Sequence, residues 1–223
     1  MNLLHVSVPF TLALLGWALF VPAVLLSVRA VQRHGFLPEG AQQNAWLAGL
    51  VCVAFLWTLQ VKTGDGIAFG MLGTALYVLL FGRERAVLGL TAALALHTFL
   101  ADGSWLNLGL NGVLFGVVPA LVASALQRAL ERWLPKNVFV FIIGNGMFVT
   151  LAATAVTSLA LLGLSMSVAA APSAALHLSE YVGISLMMAW GEAVVSGMIF
   201  SSLVIFRPVV VLTYREDKYL PRR

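Results

Sequence analysis

The sequence predicts an all-α integral membrane protein, a compact bundle of about seven transmembrane helices with the N-terminus outside and the C-terminus in the cytoplasm. Three observations carry that expectation. Of 223 residues, 61% are hydrophobic and 10% charged, against roughly 25% charged in soluble domains; so little polar surface cannot cover a particle in water, and the mean hydropathy of +0.96 agrees. Apolar runs recur near the length of about 20 residues that crosses a bilayer core of roughly 30 Å. The basic residues fall almost entirely in alternate connections between those runs.

The first run covers roughly 8–28 and begins without a basic region or a small-residue cleavage pattern, so it is expected to be retained as a helix rather than removed as a signal peptide. The second covers roughly 45–61. The third (66–81) and fourth (87–101) are short and rich in Gly and Ala, and the fifth covers 106–125; one of these three fits a re-entrant segment, since irregular backbone survives at membrane depth only when protein buries it. The sixth covers 138–164 and the seventh 181–206. Arg29 and Arg33, Arg83 and Arg85, Arg128, Arg132 and Lys136, and five basic residues from Arg207 onward lie on one side; only Lys62 lies on the other. The positive-inside rule makes the rich side cytoplasmic. The net charge of +4 is thereby an orientation signal, and no nucleic acid is called for. The whole chain, 1–223, reads as one transmembrane domain with a short cytoplasmic tail at 207–223. Residues 165–179 form the longest external connection. Gly66 with Gly70, and Gly112 with Gly116, have the spacing that lets helix backbones approach closely, and Pro22 and Pro119 are expected to kink their helices.

Polar groups near the outer side are few enough to be informative. His5, Asp65, His97, Asp102, His177 and Glu180 are all expected there. Imidazole and carboxylate together suit a divalent transition metal. Asp65 and Asp102 fit helix caps or turns equally well, and His177 and Glu180 fit a solvated face. His97 lies inside an apolar helix, where a polar side chain turns into the bundle; a ligand and an internal hydrogen-bonding residue both fit it. Glu192 stands alone in the last helix, at a cost of roughly 2.5–3.5 kcal/mol on insertion scales, so it is expected to face the interior with a partner. Asn107 and Asn111 are one turn apart on one face, and Asn145 sits between two glycines; such amides join helices or coordinate a cation. The lone Cys52 permits no internal disulfide. There is no phosphate-binding Gly-x-x-x-x-Gly-Lys loop, no His-Glu-x-x-His and no Gly-x-Ser-x-Gly, so the chain is expected to be neither an ATPase by itself nor an enzyme of those classes.

Several short motifs occur in a telling order: Met71-Leu72-Gly73-Thr74-Ala75-Leu76, then Leu80-Phe81-Gly82, then Asp102-Gly103-Ser104 running on to Leu108-Gly109-Leu110-Asn111, and finally Gly191-Glu192-Ala193 with Arg207-Pro208. In this the chain resembles the CbiM/NikM family, the membrane-embedded substrate-binding subunits of energy-coupling-factor transporters for cobalt and nickel. The resemblance implies a substrate-capture subunit in the bacterial cytoplasmic (inner) membrane, working with a transmembrane coupling (T) component and cytoplasmic ATPase subunits. It implies no resident cofactor, the transition-metal ion being cargo. The family opens Met-His and carries a further histidine before the Leu-Leu-Gly of helix three; here those positions are Asn2 and Gly70. Met1, His5, His97 and Asp102 are the first candidates for metal ligands. Asp65, Asn107, Asn111, Asn145 and Glu192 are candidates for a substrate contact or a supporting shell. A non-transporting membrane scaffold and an intramembrane enzyme using Glu192 or His97 are the rival readings.

Overall fold

The computed structural model describes residues 8–37, 39–59, 61–62, 68–168, 178–215 and 219. Among them the chain is helical apart from one minimal hairpin. α1 is Phe10–His34, α2 Gly40–Leu56, and two-residue strands β1 (Val61–Lys62) and β2 (Ala68–Phe69) pair antiparallel. Then follow α3 (Thr74–Phe81), α4 (Arg83–Leu100), a 3-10 turn at Trp105–Asn107, α5 (Leu108–Gly112), a π-turn at Val113–Val117, and α6 (Val118–Trp133). α7 (Val138–Ile143), a second π-turn at Gly144–Val149 and α8 (Thr150–Val168) form one long rod, and α9 (Leu178–Phe206) ends in a 3-10 turn at Pro208–Val210. Four stretches of the described residues, 10–33, 105–133, 138–164 and 178–206, are long and apolar enough to cross a membrane.

Large apolar side chains cover the outside of the protein as well as its core. Phe10, Leu14, Leu19 and Leu26 on α1, and Met187, Trp190 and Met198 on α9, are exposed, while Thr98, Asn111, Thr154, Thr157 and Glu192 are buried. This distribution suits lipid as solvent, where apolar side chains face outward without cost and polar groups must find partners inside. The buried hydroxyls of Thr98 and Thr157 donate to carbonyls four residues back at 2.8 Å, so they can sit in apolar helices. The chain is an all-helical, multi-pass membrane protein.

Close helix contact replaces the missing hydrophobic drive between helices. α1 and α5 meet through Gly16, whose absent Cβ would lie 2.5 Å from the Leu110 backbone nitrogen, and through Gly109, set against Trp17 at 2.6 Å. Gly112 is packed on Phe20 as its spacing predicts, but Gly116 is in ordinary contact with Leu90 at 3.8 Å, so the close-approach pair is Gly109 with Gly112. Gly66 lies outside the described residues. We expect Gly16→Ala to force the two backbones apart and cost about 1–3 kcal/mol. Gly163→Ala, where nothing lies within 4 Å, should be neutral or slightly stabilising. Equal melting temperatures for the two variants would reject this packing.

Three expectations need correction. The third apolar run is not one helix over 66–81: among its described residues only Thr74–Phe81 is helical, because Gly73 takes a positive φ of 66° and the Leu72 N–H before it bonds elsewhere. The sixth helix runs to Val168, so the connection that follows it begins later than 165. Pro119 stands not within a regular α-helix but directly after the π-turn Val113–Val117, at the second position of the next helical segment.

α3 is held at both ends. Seven of its eight side chains are buried. At its C-terminus the Leu212 N–H donates to the Leu80 carbonyl at 2.8 Å, and the Thr213 hydroxyl donates to the Leu79 carbonyl. These bonds satisfy carbonyls that a helix end leaves open. Its N-terminus is held by Glu192.

Candidate functional site

The Glu192 carboxylate lies near the middle of α9, 3% exposed. Oε2 accepts the Leu72 N–H at 2.7 Å and Oε1 accepts the Gly73 N–H at 2.8 Å. The Thr154 hydroxyl of α8 donates to Oε1 at 3.2 Å. Local geometry requires this arrangement. Gly73 is the N-cap of α3 and has no side chain to satisfy the neighbouring amides. A carboxylate at the positive end of a helix gains from the dipole as well as from the amides. Glu192 is thus a remote cap, and it holds Leu72 and Gly73.

The other side of that stretch is held by Trp57, at the end of α2. Its indole N–H donates to the Leu72 carbonyl at 2.8 Å inside the protein. The Trp57 ring meets the His97 imidazole edge to face, centroids 6.1 Å apart and planes at 76°. Phe115, in the first π-turn, packs on Trp57 at 5.3 Å. His97 is 3% exposed and lies in the last turn of α4, about 20 Å along the axis from Arg83 at the helix start. So His97, Trp57, Leu72, Gly73, Thr154 and Glu192 form one continuous set of contacts drawn from α2, α4, α8, α9 and the approach to α3.

Asn111 lies one turn before Phe115. It is fully buried, and among the described residues neither its Oδ1 nor its Nδ2 makes a hydrogen bond. Buried amides are nearly always satisfied, so such an atom pair needs a reason, and a bound polar group is one. Asn107 is buried one turn earlier. Asp102 is exposed and adopts φ 48°. The Gly103 N–H reaches back to the Thr98 carbonyl at 2.9 Å and the Ala101 N–H to that of His97 at 3.0 Å, a helix C-cap with Asp102 in the left-handed position. Of the two structural roles open to Asp102, the turn is the observed one.

Asn145 is elsewhere. It sits in the second π-turn beside Leu130, Glu131, Pro135 and Tyr219, nine residues and so about 13 Å along the rod from Thr154. It does not join the His97–Glu192 set. Met1, His5, Asp65 and His177 lie outside the described residues, and Glu180 is exposed at the start of α9. Among the described residues no three His, Cys, Asp or Glu side chains converge as a metal cluster. Trp57 and Thr154 were not singled out by sequence. For Trp57 the sequence offers only a tryptophan at a helix end, the usual place for an interfacial aromatic; for Thr154, a hydroxyl in an apolar helix, the usual place for a self-bonded threonine.

With this geometry in view, the relatives are informative. Residues 5–210 match the CbiM family, described as the cobalt uptake substrate-specific transmembrane region. The chain is 30% identical over 166 residues to the cobalt transport protein CbiM of Salmonella typhimurium, and 30% identical over 164 residues to that of Anoxybacillus flavithermus. Each match takes in 72% of this chain, but only 65% and 64% of the relatives' length. Two solved structures are similar in fold, a truncated transition metal transporter and a transition metal transporter, each with a TM-score of 0.71 at 20% identity. The superpositions cover 92% of this chain and 99% of the first structure, and 97% of this chain and 100% of the second.

Proposed function

Because the chain belongs to the CbiM family, we propose that it is the substrate-capture subunit of an energy-coupling-factor importer for a transition-metal cation. The reading includes a cytoplasmic-membrane location, an N-out and C-in topology, and a coupling (T) subunit with separate ATPases as partners. Seven crossings remain compatible with the short α3: the Gly70–Gly73 stretch and α3 together reach at most about 25 Å, close to the bilayer core, so the third crossing is a half-helix with an extended lead. Non-helical backbone of this kind, buried in protein at membrane depth, recurs at transporter binding sites.

The observation that carries the metal assignment is the His97 imidazole against Trp57, whose indole holds the Leu72 carbonyl. The resemblance puts the family's helix-three histidine at Gly70, two residues away in sequence from Leu72. His97 supplies from α4 an imidazole that position 70 lacks. Neutral imidazole is a ligand for Co, Ni, Cu and Zn alike. We assign the remaining donors to Met1 and His5, with Asp102 at the rim and Asn107 and Asn111 supporting from α5 and the turn before it. Trp57 and Glu192 act on the site by holding the Gly70–Gly73 stretch still.

Metal content of the purified protein tests this. With a free, native N-terminus, the protein should retain about one transition-metal ion per chain after loading with cobalt or nickel, counted by elemental mass spectrometry. No retained metal after exposure to cobalt, nickel, iron and zinc would end the cation reading and favour a scaffold that keeps the fold.

A further inference from the structure

A groove far from His97 has a different chemistry. Ala23, Leu26, Ser27 and Ala30 of α1, Val87 of α4, and Val117, Ala120 and Leu121 line a space of about 300 Å³, with Arg83 and Glu84 at its mouth. An adjoining opening of about 340 Å³ shares Ala30 and Glu84 and adds Val31 and Arg85. We propose that this groove binds one acyl chain of an anionic phospholipid, with the phosphate at the arginine-bearing mouth.

Shape suits an acyl chain. From Ala23 to Ala30 the groove follows α1 for about 10 Å. Small side chains at Ala23, Ser27, Ala30 and Ala120 make the space. The Ser27 hydroxyl is already bonded to the Ala23 carbonyl at 2.9 Å, so the body of the groove offers no competing donor. The rims, Leu26 at 64% and Leu121 at 49% exposure, open sideways to where lipid lies.

Charge favours an anionic headgroup. Arg83 bonds Glu84 at 2.6 Å, Arg85 also acts on Glu84 through its charge, and Arg85 donates to the neutral carbonyls of Gly35 and Phe36, so one carboxylate serves both guanidiniums. Exposed Arg29 and Arg33 flank Ala30 on α1. Four arginines thus stand against one glutamate. Basic pockets between transmembrane helices are recognised headgroup sites for anionic lipids. The inference is independent of the metal reading.

The test is native mass spectrometry of the full chain released from mixed phosphatidylglycerol and phosphatidylcholine bilayers. One phosphatidylglycerol should survive delipidation, favoured at least tenfold over phosphatidylcholine. Ala30→Phe, which fills the groove, should cut retention tenfold. Arg83→Gln combined with Arg85→Gln, both at half-buried positions, should cut the preference between the two lipids at least threefold, and this pair carries the test alone if Ala30→Phe does not fold. Equal retention of both lipids by the unaltered protein, or an unchanged preference in the Arg83→Gln, Arg85→Gln double variant, overturns the proposal. So does photocrosslinking from Leu26 to a partner subunit with no lipid retained.

Discussion

Truncating Glu192 to Ala is expected to cost the bundle about 3–5 kcal/mol. The carboxylate accepts three hydrogen bonds, from the Leu72 and Gly73 amides and the Thr154 hydroxyl. Without it two backbone N–H groups are left buried, and each orphaned donor costs about 1–3 kcal/mol. Water does not enter an apolar bundle readily enough to repair them. At about 2–4 °C per kcal/mol for a chain of this size, the melting temperature in detergent should fall by about 6–20 °C. Glu192→Gln keeps one acceptor but turns an NH2 group toward an amide donor, so it should fall between the two. A Glu192→Ala protein that melts within 2 °C of the unaltered one would show that α3 does not depend on this cap.

His97→Ala should weaken binding of cobalt or nickel by at least about 100-fold, because even groups that merely orient a metal ligand are worth about 10–100-fold. Stability should change far less. The edge-to-face contact with Trp57 at 6.1 Å is worth about 0.5–1.5 kcal/mol. The two effects separate in one thermal experiment, since a bound ion raises the melting temperature in proportion to log concentration. The unaltered protein should show that rise, and the variant should melt near the apo value at every metal concentration. A variant that still responds to metal would remove His97 from the site. The pair is also diagnostic as a pair: Glu192→Ala lowers the melting temperature of the apo protein, whereas His97→Ala lowers chiefly the gain from metal.

Much of this architecture was legible from the residues. Charge scarcity and apolar length identify the long helices, and polarity inside an apolar helix marks His97 and Glu192 as interior groups. What stayed illegible was non-local. A Gly-rich apolar run over 66–81 has the length of a helix, and nothing within it tells that its amides belong to a carboxylate about 120 residues later. Both π-turns were hidden for another reason. In helices apolar on every face, one extra residue per turn disturbs no periodic pattern. Asn145 and Asn111 are alike as sequence signals, each an amide among small residues, yet one joins the Tyr219 side of the bundle and the other the Phe115 side. Only packing separates them.

The two ends of α3 are tied to a single continuous stretch of chain. Glu192 holds its start, and Leu212 and Thr213, some twenty residues further along the same strand of sequence, hold its finish. A rod about 12 Å long, braced this way and buried on nearly every side, is a strut with no slack. A displacement of Leu72 and Gly73 is expected to reach Leu212 and Thr213 as a rigid-body shift, and a tug on those residues to return by the same route. Two distant parts of the chain, the lead into α3 and the segment after α9, are in this way joined by little more than two turns of backbone.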